Sequence, residues 1–291
     1  MRRTVLMCAV FAWVAVTGGF ASIVQADEAL AFATEVKGAV TIQRADGKLD
    51  TATVGSQLFV SDRVKVTNGL AVLIYLSGRS VTVKAGEAHT VQKADAGKSK
   101  RMERLMGTLG EMIGARDEGD RPVVHGMARS LPLTGSAPAN TRISSTDFSF
   151  SWDGLEGAES YTFSLLSKDG KELAGKSIQD TVLSASALEL TPGAAYVWTV
   201  TAEFIIPHAT GKNHLEIASA EEAAALAEAF EEIEAAHTGT TRTLLKAAAC
   251  YNAGYLYEAQ GILSSLKGSQ DLGSVNKMLR LLQAKMQAGA N

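Results

Sequence analysis

His208 and His214 stand six residues apart in the run IIPHATGKNHLE, the closest pair of histidines in the chain. Two imidazoles flanking a turn can face each other across a hairpin and share a metal. Zinc takes three or four protein ligands, however, and no third lies near, so a hairpin carrying unrelated polar residues accounts for the run as well. Glu221, Glu222, Glu228, Glu231, Glu232 and Glu234 gather on one stretch whose spacing puts them on the polar face of a helix. That face reads as solvated rather than catalytic, and DEGD at 117–120 lacks the ligand spacing of a calcium loop. Gly78-Arg79-Ser80 is not a phosphate cradle, because no lysine-containing loop leads into a helix. No G-x-S-x-G, H-E-x-x-H or G-x-G-x-x-G motif occurs. The expectation is a protein with no catalytic residue, no cofactor and no metal: not an enzyme.

The sequence opens with Arg2 and Arg3, an apolar run VLMCAVFAWVAV, and the small-residue site Val24-Gln25-Ala26 before Asp27. This is the pattern of an export signal cleaved after residue 26. The apolar run is shorter than the ~20 residues a spanning helix needs, and no later segment is long and apolar enough to span a membrane. The expected location is periplasmic or secreted, and the alternative is a signal retained as an anchor. Loss of Arg2 and Arg3 takes the net charge from −3 to −5, which argues against a nucleic-acid partner. Cys8 leaves with the signal, so Cys250 stands alone among alanines and reads as a small buried thiol.

The elements that would position any site fall into four blocks after the signal, at 27–96, 97–142, 143–218 and 219–291. The fold class expected is a multidomain β plus α protein: two β-rich units and C-terminal helical hairpins. Residues 30–93 alternate in short runs broken by Ala45-Asp46-Gly47-Lys48 and Thr67-Asn68-Gly69. In Val72–Leu76 both alternating sets are apolar, so this strand is expected to be buried on both faces. The order Gly38-Ala39-Val40, Val54-Gly55, Leu58, Val60 to Asp62, Val64, Thr67, Gly69, Ala71 and Val72 to Leu76 resembles the FecR family, over about 60 residues. Ser77-Gly78-Arg79-Ser80 stands where that family usually has Asp-Gly-Ser. The resemblance implies a periplasmic β domain and carries over no catalytic residue.

Met102, Leu105, Met106, Leu109, Met112 and Ile113 recur at helical spacing. Two readings stand: a methionine-rich face that holds a protein partner in the envelope or a membrane surface, or a linker helix lying on a neighbouring domain. Pro122, Pro132 and Pro138 make the following stretch an extended linker.

From residue 143 the alternation returns. It puts Phe148, Phe150 and Trp152 on one face, Tyr161, Phe163 and Leu165 on another, and Tyr196, Trp198 and Val200 on a third. The order FSW, SYTF and LTPGAAYVWTV resembles a fibronectin type III domain over about 75 residues. The tail starts at a capping box, Ser219 with Glu222. Its first helix carries Ala223, Leu226, Ala227, Phe230 and Ile233, and its last carries Val275, Met278, Leu279, Leu282 and Met286. LLKAAACYNAGYLYEAQGILSSL resembles a tetratricopeptide hairpin, about one repeat; a stable array takes about three, so the tail is an incomplete array or a small helical bundle.

The function expected is a non-enzymatic, exported interaction or scaffold protein. Two alternatives remain: an envelope-sensing component of a FecR-type regulatory system, and a polysaccharide- or peptidoglycan-binding module.

Overall fold

The computed structural model describes residues 29–93, 100–114, 133, 135–204, 207–266 and 273–288. The expected export signal, DEGD at 117–120, His125 and most of the expected linker lie outside these residues. The chain is a mixed α+β protein.

The first β unit holds β1 (Ala31–Lys37), β2 (Val40–Gln43), β3 (Leu49–Thr51), β4 (Gln57–Leu58), β5 (Arg63–Val66), β6 (Leu70–Tyr75), β7 (Ser80–Lys84) and β8 (Ala88–Thr90). They form two antiparallel sheets, β4-β1-β6-β7 and β3-β2-β5-β8. Val40 and Ile42 on β2 and Val64 and Val66 on β5 point inward, and Arg63 and Lys65 point out. They meet Ala31, Ala33, Ala71, Leu73, Tyr75 and Val83 of the other sheet in one core. Gly38 and Gly69 are required where two turns abut: both have positive φ, and a Cβ on Gly69 would lie 2.0 Å from the Lys37 carbonyl oxygen. Arg44 ties the rim together, donating to Asp50 (2.8 Å), to buried Asp62 (2.7 Å) and to the Gln57 carbonyl (2.9 Å).

Strand β6 is buried on both faces. Leu73 and Tyr75 belong to the sandwich core, while Ile74 joins a second cluster made mostly of helices. The turn after it is closed by Gly78 N–H to Tyr75 O (2.8 Å) and Tyr75 N–H to Arg79 O (2.9 Å), and it leaves Arg79 exposed.

The second β unit holds β9 (Thr141–Ile143), β10 (Ser149–Ser151), β11 (Tyr161–Ser167), β12 (Glu172–Ile178), β13 (Val182–Ser184), β14 (Ala195–Ala202), β15 (His208–Ala209) and β16 (Asn213–Ile217). A sheet ordered β12-β11-β14-β16-β9 faces the pair β10-β13. β9 runs parallel to β16, and every other pair is antiparallel. The aromatic faces expected from the alternation meet between the sheets. Trp198 lies 5.2 Å from Phe150 at 71° and 5.8 Å from Phe163 at 24°. Its Nε1–H donates to the Pro138 carbonyl at 2.9 Å. This unit therefore begins before residue 143: Leu133 is in its core, Ala137 bridges to Ser151, and β9 completes its sheet.

Five helices are present among the described residues: α1 (Lys100–Gly114), α2 (Ala220–Ala236), α3 (Gly239–Asn252), α4 (Leu256–Ser264) and α5 (Gly273–Ala288). Ser219 and Glu222 form the expected capping box at α2. In α2 the buried stripe is Leu226, Ala229 and Ile233, and Ala227, expected on it, is exposed. α1 packs against α3 and α5, as a linker helix lying on a neighbouring domain would. A single cluster joins α1, the tail helices, and Phe32 and Ile74 from the outer face of the first sandwich.

Candidate functional site

The stripe that reads in sequence either as a partner-binding face or as the face of a linker helix lying on a neighbouring domain is covered by the chain itself. Met102, Leu105, Met106, Leu109, Met112 and Ile113 are all at most 8% exposed, packed with α3, α5, Phe32 and Ile74. The sequence spacing identified the apolar face correctly. What covers it is the chain's own tail and first sandwich, so these residues offer no docking surface in this structure.

His208 and His214 do not face each other across a hairpin. β15 and β16 lie one after the other along the same edge of β14, with His208 opposite Ala202 and His214 opposite Val197. Five strand positions separate those partners, about 16 Å. Among the described residues no group of three His, Cys, Asp or Glu side chains is placed to hold a metal, and no helix is long and apolar enough to cross a membrane.

The acidic face of α2 is put to use in docking. Arg101 on α1 pairs with Glu228 (3.8 Å) and Glu232 (3.3 Å), and Lys246 on α3 pairs with Glu234. Arg142 on β9 pairs with Glu222 (2.9 Å) and Glu216 (2.8 Å). The Ser219 amide and hydroxyl, aided by Arg142, hold the Glu222 carboxyl below its usual range. Burial opposes charge on Arg142, but the hydrogen bond and charge of Glu216 and the charge of Glu222 outweigh it and raise its pKa.

β9 fastens the second sandwich to the tail. Tyr255, at the N-cap of α4, makes no side-chain cap bond. The cap comes instead from Thr141, whose Oγ1 accepts from the amides of Leu256 (2.8 Å) and Tyr257 (3.3 Å). Arg142 N–H donates to Gly254 O at 3.0 Å, and Ser144 N–H to Glu258 Oε1 at 2.7 Å. Burial raises the pKa of Glu258. The first sandwich is fastened by a buried hydroxyl pair, Thr34 with Thr241 (2.6 Å), and by Ser80 with His237 Nδ1 (3.2 Å). Burial of His237 lowers its pKa and favours the neutral ring.

Where α1, α2, the end of α3 and β9 converge, a cleft of about 300 Å³ opens. Arg101, Arg104, Arg142, Glu222, Asn252 and Tyr255 supply its polar lining, and Leu105, Leu226 and several alanines its floor. Tyr255 is 1% exposed, and its hydroxyl has no hydrogen-bond partner of good geometry, although the Arg142 guanidinium lies beside its ring. A larger depression of about 460 Å³ lies by β14 and β16, where Lys168 and His214 are exposed; none of its lining side chains has an orphaned buried polar atom among the described residues. The cleft is therefore the stronger candidate site. Its residues come from the methionine-stripe helix, the approach to β9, a helix with a solvated face and a helix stop, so no single local pattern announces them.

Cys250 lies in the last turn of α3, fully buried, and burial pushes its thiol up to about 12. The expected result is no reaction with an aromatic disulfide reagent at pH 8 until the protein is unfolded. Rapid stoichiometric labelling of the folded protein would contradict this placement.

No protein-family model matches the chain, and no curated protein matches it.

Proposed function

We propose that the chain is an exported, non-enzymatic scaffold or interaction protein that joins a FecR-like β unit, a fibronectin type III-like sandwich and a tetratricopeptide-like helical tail in one body. The observation that carries the scaffold reading is the set of cross-links between units: Thr141 capping α4, Arg142 paired with Glu222 on α2, and Thr34 bonded to Thr241. Side-chain bonds across unit boundaries hold domains in fixed relation where a flexible tether leaves them free to move.

The fibronectin-like reading is supported by the sheet order β12-β11-β14-β16 facing β10-β13. It is supported further by a tyrosine corner, in which Thr191 N–H donates to the Tyr196 hydroxyl at 2.8 Å. The FecR-like reading draws on the two-sheet arrangement and the doubly buried β6. The α3–α4 hairpin, turned at Gly254 with φ +84°, supports a single tetratricopeptide-like unit inside a small bundle. A glycan platform built on Trp152, Tyr196 and Trp198 is disfavoured, because these rings are at most 5% exposed.

N-terminal sequencing of the protein recovered from fractionated cells tests the export reading. Recovery from the periplasm or medium with Asp27 as first residue is expected. Recovery from the membrane with Met1 intact would overturn it and favour the envelope-sensing alternative, in which a retained anchor precedes the FecR-like unit.

A further inference from the structure

Two groups in the helical cleft remain unpaired after its internal bonds are made. Arg101 is held by Glu228, Glu232 and the Ala225 carbonyl, and Arg142 by Glu216 and Glu222. The Arg104 guanidinium, exposed at the mouth, has no ion pair or hydrogen bond among the described residues. The Tyr255 hydroxyl, buried in the same cleft wall, makes no hydrogen bond of good geometry; the Arg142 guanidinium near it can only donate, so the phenol proton has no acceptor among the described residues. A buried hydroxyl proton left without an acceptor destabilises a fold, so its retention in the cleft that Arg104 also lines calls for a third group to satisfy both. Glu222 does not supply that group, since its carboxylate is committed to Arg142 and Ser219.

We propose that this cleft binds a small amphipathic anion: a carboxylate or phosphate monoester with a short alkyl or aryl body. Arg104 compensates its charge, the Tyr255 hydroxyl donates to one of its oxygens, and Leu105, Leu226 and Ala229 bury its body. Size fits this class. A cavity of roughly 150 Å³ takes one benzene ring, so the cleft of about 300 Å³ takes a ligand of about ten heavy atoms. Charge fits too: Glu228 and Glu232 answer Arg101, Glu216 and Glu222 answer Arg142, and Arg104 is the lining cation left for a ligand anion. Burial raises the Tyr255 pKa and keeps the phenol protonated as a donor. This inference goes beyond the scaffold reading and stands whichever compartment the chain occupies.

The test is titration calorimetry on the folded protein with octanoate, octyl phosphate and octylammonium. One or both anions should bind with one-to-one stoichiometry, and octylammonium at least about tenfold more weakly. Arg104→Ala, an exposed change that leaves the fold intact, should weaken the anion about tenfold, with Arg104→Lys restoring part of the loss. Tyr255→Phe should weaken it about fivefold and at the same time raise the melting temperature of the ligand-free protein. That opposite pair of signs separates a waiting ligand group from a structural one. Absence of binding by both anions, equal binding of octylammonium, or unchanged anion binding by Tyr255→Phe would overturn the proposal. A lowered melting temperature in ligand-free Tyr255→Phe would overturn it as well, because the hydroxyl would then already be bonded within the fold.

Discussion

Leu109→Ala is expected to destabilise the protein by about 2–5 kcal/mol, the cost of a cavity at a packed leucine. Leu109 is 0% exposed and sits in the cluster that joins α1, the tail helices, Phe32 and Ile74. The loss should fall on several parts of the chain at once, because Met106 and Met112 beside it are also fully buried. A phenylalanine ring from the first sandwich closes the same contact: a Cβ on Gly110 would lie 3.0 Å from the tip of Phe32. The magnitude decides between the two readings of this helix. An exposed leucine on a face waiting for a partner would change stability by no more than about 0.5 kcal/mol when cut to alanine. Urea unfolding followed by circular dichroism makes the measurement, and a midpoint unchanged from the parent would restore the partner-binding reading.

Trp198→Ala should cost about 3–5 kcal/mol through loss of a large packed ring. Trp198 is 0% exposed and makes edge and stacked contacts with Phe150 and Phe163. Its indole N–H also binds the Pro138 carbonyl, which ties the segment before β9 to the sandwich. Trp198→Phe separates these contributions. It keeps an aromatic ring but orphans the carbonyl, a penalty of about 1–3 kcal/mol. Since β9 carries both Thr141 and Arg142, loosening this segment should also weaken the clamp on α4. Urea titration of the variants reads the two costs, and a Phe variant as stable as the parent would show that the Pro138 bond contributes nothing.

The β units were legible because burial on a strand follows a two-residue period. Val40 and Ile42, Val64 and Val66, and the aromatic sets on β10, β11 and β14 all point where their alternation says. The double burial of β6 was legible from Val72–Leu76, where neither alternating set is polar. Helix spacing likewise marks the inward face of α1 and α5. Periodicity says which side chains avoid water, however, and not which element covers them. The α1 stripe could therefore be read as a docking surface until the tail was seen on it. In α2 the signal fails for a different reason: Ala223, Ala224, Ala225, Ala227 and Ala229 blur the apolar period, so the spacing points to Ala227 where the fold buries Ala229.

The candidate cleft was not legible. Thr141 caps a helix 115 residues later in the chain, and Arg142 finds Glu216 and Glu222 across 74 residues or more. Such bonds leave no local signature. Pro138 made the approach to β9 look like a linker, although its carbonyl is an anchor for Trp198. The methionines announced themselves by spacing and proved to be core, while Arg104, on the polar side of that helix, and Tyr255, at the turn before α4, line the cleft.

The central claim is that α1 is the internal seam between the first sandwich and the helical tail. Hydrogen exchange of the folded full chain at the α1 amides tests this most directly. Packing on α3, α5 and Phe32 predicts that the amides from Leu105 to Met112 are protected as strongly as those of α3. Exchange of these amides at the rate of an isolated helix, with α3 still protected, would contradict the account.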